Sequence, residues 1–252
     1  MIDLLANPLP ATGSGSRGDA RALAAARDAE DAGVTMMVCA PPLAAMAPAD
    51  VHAAVERLAG ALGRAGSGLR LAAASVVPVE GLARLGDDDL RAASLDGAGR
   101  WLLLRLPERG WPLSLPSALA DLEIRGYRAI VAGPERADAV QRSPDRLREA
   151  VGRGALVLIT AAALSGADGP APQRTATALI RGASAHLIGS GASAPGAPGL
   201  ADGLAVAARA AGVYPEALSW MVDAGPEAIL EGRPVRPPRL GGRAVHPRAA
   251  GS

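Results

Sequence analysis

The stretch Ile124–Asp138, IRGYRAIVAGPERAD, decides how the chain is read. Gly126 is the residue type that ends a helix in a left-handed turn. Arg128 to Ala132 is an apolar run of strand length, and Gly133-Pro134 stops it. Glu135 and Arg136 therefore sit just past the carboxyl end of a buried strand. In α/β proteins with parallel strands, that is the end where ligands bind.

Working outward, the same alternation recurs. Strands are expected at Met1–Leu5, Val34–Ala40, Leu69–Val77, Trp101–Leu106, Arg128–Ala132, Ala155–Thr160 and Ala185–Gly189. Helices are expected between them, at Ala20–Ala32 after a cap by Asp19, from Pro48 to about Gly63, over Glu80–Ala93 with Asp87–Asp89 as a turn or cap, at Leu115–Arg125, up to Val151, and at Gln173–Arg181. Strand and helix at this spacing predict parallel strands with helical crossovers, seven units in a barrel-like α/β fold. Helices at Leu200–Ala211, Glu216–Asp223 and Glu227–Glu231 follow. One domain is expected over residues 1–232, with a basic Pro/Gly-rich tail over 233–252 that cannot build a core.

Composition narrows the function. The chain has 252 residues, 49% of them hydrophobic, and a formal net charge of +1, which argues for a globular protein with no attraction to nucleic acid. Cys39 is the single cysteine, so no intramolecular disulfide and no thiolate metal cage is available. No basic leader precedes the short apolar start, and the longest apolar run, Ala155–Leu164, falls well short of the ~20 residues a membrane helix needs. A cytoplasmic protein is expected.

The central segment carries a resemblance. GYRAIVAGPERAD is similar to the Gly-Tyr…Ala-His-Pro-Glu-Arg segment of the CpsB/CapC-like, manganese-dependent tyrosine phosphatases of capsule and exopolysaccharide operons, within the polymerase-and-histidinol-phosphatase (PHP) superfamily. Met1-Ile2-Asp3, Leu9-Pro10, Leu102–Pro107, Ile159-Thr160 with Leu164 and Gly166, His186–Ser190 and Pro226–Leu230 extend it from Met1 to about Arg239. The resemblance implies a PHP-like distorted (β/α)7 barrel, related to TIM barrels, with manganese held at the strand ends.

The ligand positions that the resemblance implies are all replaced. The family's first-strand His-x-His falls on Leu5 and Asn7, and its Asp-Asp-Gly on Gly13-Ser14-Gly15. The His after strand two falls on Pro42, the Glu of strand three near Val76, and the Glu before Leu-Pro on Arg105. The central His is Gly133, and the final Ser-Asp-Ala-His is Ser190-Gly191-Ala192-Ser193. Leu5, Pro42, Val76 and Gly133 cannot coordinate through a side chain, while Asn7 and Ser193 offer only neutral oxygens. No cofactor is expected, and the metal-dependent mechanism is expected to be lost. His52, His186 and His246 sit where surface, core and tail roles explain them.

What remains at the presumed functional end is arginine. Arg136 is retained from the motif, Arg105 replaces an acid, and Arg17 lies in a Gly/Ser loop. With Ser190 and Ser193 they form a candidate anion site; Arg136, Arg105 and Glu135 are the candidates for any residual catalysis. Two readings stay open: a pocket for phosphate, carboxylate or pyrophosphate, or ion pairing of Arg105 and Arg136 with Glu135, Asp138 or Glu108. The resemblance implies a binding or regulatory role in polysaccharide synthesis, with a tyrosine kinase or a polysaccharide-export component as partner. The alternative is an active or repurposed phosphoester hydrolase.

Overall fold

Apolar runs closed by Gly or Pro become parallel strands in the computed structural model of the chain, which describes residues 1–10, 15–95, 100–211 and 215–238. In order these are β1 (Ile2–Ala6), α1 (Gly15–Asp31), β2 (Met36–Cys39), α2 (Pro48–Arg64), β3 (Arg70–Ala73), β4 (Val76–Pro78) and α3 (Asp87–Ala93). Next come β5 (Trp101–Arg105), α4 (Leu115–Ile124), β6 (Arg128–Ala132), α5 (Asp138–Arg142), α6 (Leu147–Gly152), β7 (Leu156–Thr160), α7 (Ala161–Ser165) and α8 (Pro170–Arg181). The chain then forms β8 (Leu187–Gly189), α9 (Leu200–Ala211), α10 (Pro215–Val222) and α11 (Ala224–Leu230).

Every strand pairing is parallel. One sheet runs β1-β2-β3 and the other β4-β5-β6-β7-β8. The two meet at both ends. Gly191 N–H donates to Leu5 O and Asn7 N–H to Ala192 O, each at 2.8 Å, which joins β1 to the chain leaving β8. At the other junction Pro42 bridges Val76 in parallel, with Val76 N–H donating to Pro41 O. The segment expected as one strand, Leu69–Val77, is thus two: its first half pairs β2 and its second half pairs β5. The change of partner falls at Ala74-Ser75, both buried.

Strand parity sorts the core into two layers. Ile2, Leu4, Val38, Val76, Trp101, Leu103, Ile130, Leu156, Leu158 and Leu187 pack together inside the strand ring. Their neighbours Leu102, Leu104, Ala129, Val131, Val157, Ile159 and Ile188 pack outward against the helices. A parallel strand buried on both faces has no polar side, which is why these segments read as continuous apolar runs.

Some element bounds differ from expectation. Helix α1 begins at Gly15, so Arg17 lies in its first turn and not in a loop. The region Glu80–Ala93 divides into a 3-10 turn, Val79–Arg84, and α3; Asp89 caps the latter by accepting from Gly86 N–H at 3.2 Å. The helix expected to reach Val151 breaks at Ser143-Pro144, because proline cannot continue the hydrogen-bond ladder of α5. Gly13 and Ser14, and the tail from Arg239 with His246, lie outside the described residues.

Candidate functional site

At the carboxyl ends of the strands lies a cavity of about 250 Å³. Its wall contains Leu5, Asn7, Pro42, Val76, Arg105, Gly133, Gly191 and Ser193, together with Leu106, Glu108, Arg136 and Thr160. The positions that the sequence comparison set in correspondence thus converge on one place. They come from six different strand ends.

Arg105 enters through parity. Trp101 and Leu103 point into the strand ring, so the next residue of that parity, at the end of β5, points into its mouth. Among the described residues Arg105 makes no hydrogen bond or ion pair. It is exposed at the rim, yet the pocket wall removes enough water to lower its guanidinium pKa from the ordinary value. The like charge of Arg136 pushes the same way, and Glu108 opposes both.

Arg136 follows Gly133, whose left-handed conformation (φ 60°) ends β6 and turns the chain over the cavity. Its Nε–H donates to Asp168 Oδ2 at 2.9 Å, and its Nη2 lies 2.8 Å from the same oxygen in an ion pair. Neither arginine therefore pairs with the acids considered from sequence. Asp138 instead binds Arg142 at 2.9 Å and caps Gly110 N–H.

Glu135 stands behind the wall, with no exposed surface. Its Oε1 accepts from Thr160 N–H at 2.9 Å and from Thr160 Oγ1–H at 2.7 Å, clamping the ends of β6 and β7 together. Its Oε2 is buried without a partner. Burial pushes the carboxyl pKa up, against the lowering by its bonds to Thr160 and by Arg136. This geometry gives Glu135 a bracing position and no open path to a ligand.

The other candidates lie apart. Arg17 is exposed on α1 and does not line the cavity. Ser190 is buried at the β1–β8 junction, where its N–H donates to Asp3 Oδ1 and its hydroxyl to Leu5 O. His186 Nδ1 accepts from Val157 N–H at 3.0 Å, which requires the neutral ring, and burial lowers its pKa to match. His52 is on α2 and bonds Pro48 O. Burial, then the nearby Asp3, push the Cys39 thiol up to about 12, which leaves it inert at neutral pH.

Two residues escaped the sequence reading: Thr160 on the wall, and Asp168, which holds Arg136. Thr160 carried a visible signal, since it is the polar end of an otherwise apolar strand. Asp168 carried none, because only the fold brings it to Arg136 across 32 positions.

A family model described as capsular polysaccharide synthesis, CpsB/CapC, matches residues 1–221. The chain belongs to the CpsB/CapC family. It is similar to a putative tyrosine-protein phosphatase CapC of Staphylococcus aureus, 34% identical over 93 residues, which span 37% of this chain and 36% of that protein. It is also similar to the tyrosine-protein phosphatase YwqE of Bacillus subtilis (strain 168), 24% identical over 196 residues, 76% and 77% of the two chains. Among solved structures it superposes on one from the study of YwqE from Bacillus subtilis and CpsB from Streptococcus pneumoniae, described as unique metal-dependent tyrosine phosphatases. The TM-score is 0.79 at 22% identity, covering 96% of this chain and 100% of that one. That likeness establishes the fold, the distorted PHP-like α/β architecture with parallel strands.

A metal is implied by those relatives, and the residues here do not fit one. Among the described residues no group of three or more His, Cys, Asp or Glu is placed to hold a metal ion. The cavity of this CpsB/CapC member sets one carboxylate, Glu108, against two guanidiniums. Divalent cations need several anionic or imidazole donors, and arginine supplies neither.

Proposed function

We propose that this chain is a non-catalytic, pseudo-phosphatase member of the CpsB/CapC family, acting as a binding or regulatory protein in polysaccharide synthesis. The observation that carries the reading is the cavity wall, where Leu5, Pro42, Val76 and Gly133 provide no donor and Arg105 provides a cation. Hydrolysis by a metal-activated water needs a site that holds the metal and lowers the water's pKa, and this wall repels it. Glu135 is not placed to act as a general base, since it is sealed behind Thr160 and held toward its neutral form. A tyrosine kinase or a polysaccharide-export component is the partner class that family membership supports. No helix among the described residues is long and apolar enough to cross a membrane, which is compatible with a role in the cytoplasm.

The relatives named as tyrosine phosphatases favour a second reading, a phosphoester hydrolase using Arg105, Arg136 and Glu135. A phosphotyrosine-peptide assay with added manganese, combined with metal analysis of the purified protein, separates the two. The non-catalytic reading expects no turnover and no stoichiometric metal. Turnover that disappears in Arg136→Ala would establish the hydrolase.

A further inference from the structure

The cavity has lost cation donors, and it has gained a cation of its own. Arg105 reaches the mouth of the strand ring, makes no bond to any described residue, and faces a second guanidinium across a space of about 250 Å³. Two like charges brought together in a partly desolvated pocket repel each other; Glu108 on the same wall and Asp168 at Arg136 offset this in part, and an entering anion relieves more of it. Arg136 is already fixed by Asp168, so its position is set before any ligand arrives. Thr160, Ser193 and Asn7 add uncharged polar groups to the same wall, and Leu5, Val76 and Pro42 keep much of the remainder apolar.

We propose that this cavity binds an oxyanion, the phosphoryl or carboxylate group of a small molecule, held directly by the Arg105 guanidinium with Arg136 beside it and no metal between. The planar fork of arginine presents parallel N–H donors that match two oxygens of either group. The volume exceeds what one phosphate occupies, which leaves room for the rest of a monoester. This inference rests on the non-catalytic reading for its biological sense, but its physics does not depend on it.

The test is calorimetric titration of protein kept in EDTA, using inorganic phosphate, sulfate and acetate at matched ionic strength. Saturable binding without manganese is expected, with phosphate against acetate deciding which oxyanion the site prefers. Arg105→Gln should weaken it by about tenfold or more, the scale of losing a charge-assisted bond. Arg105→Lys, which keeps charge and loses the fork, should retain part of the affinity. Arg105 makes no bond to a described residue, so both variants should keep the wild-type urea midpoint. No binding by any of the three anions, equal binding by Arg105→Gln, or binding that requires manganese would overturn the proposal. Failure of binding leaves the non-catalytic reading standing, whereas turnover with manganese overturns that reading without changing an affinity measured in EDTA.

Discussion

Glu135 shows how one buried group fixes the geometry of the site. Its Oε1 ties β6 to β7 through Thr160, while Oε2 finds no hydrogen-bond partner among the described residues. Since burial raises the folded-state pKa above the ordinary 4.5, the folded protein holds this proton more tightly than the unfolded chain does. Its stabilising contribution is therefore complete below the ordinary carboxylate range and is lost as pH rises through the folded value. Glu135→Gln keeps a carbonyl oxygen for Thr160 and has no charge to develop. Wild type should lose stability relative to Glu135→Gln as pH rises above the ordinary carboxylate range, read from paired urea melts. A difference that stays constant over that rise would mean that Glu135 does not titrate with a raised pKa.

At the scale of elements, the junction of β1 and β8 positions the side of the cavity wall that carries Leu5, Asn7, Gly191 and Ser193. Gly189 makes the junction possible: a Cβ there would come within 2.8 Å of Leu5 Cβ and 3.1 Å of Leu158 Cδ2. These are packed side chains on β1 and β7, without room to withdraw. Gly189→Ala should therefore destabilise by about 1–3 kcal/mol through overpacking. It should lower the urea midpoint without changing the slope, since the surface exposed on unfolding is the same. The divided strand β3/β4 shows what was hidden at this scale. Leu69–Val77 is recognisable as a strand from its apolar residues, but its change of partner at Ala74-Ser75 depends on where β2 and β5 end. Propensity within the segment contains no trace of that.

At the scale of the molecule, the ring of strands stands on its apolar layers. Inside it Leu4, Leu103, Ile130, Leu158 and Leu187 are fully buried, and outside it the helices bury Leu102, Leu104, Val131 and Val157. On the non-catalytic reading the cavity wall holds no divalent cation. Prolonged EDTA treatment should accordingly leave the melting temperature unchanged, whereas a protein whose native state binds manganese would melt lower. Differential scanning calorimetry with and without chelator decides this.

The amino-acid sequence alone determined the order of strands and helices and the family resemblance, and with it the expectation that no aligned ligand position keeps a His, Asp or Glu. Apolar run length, Gly/Pro punctuation and the chemistry of single side chains are local properties, and local properties are written in the sequence. The tertiary structure decided which arginine is free and which is spoken for: Arg136 is held by the distant Asp168, while Arg105 turns into the mouth of the ring with no partner among the described residues. The reason is parity. Strands covered on both faces are apolar at every position, so nothing in Trp101–Leu104 says which side chains look inward until the layers on either side are in place.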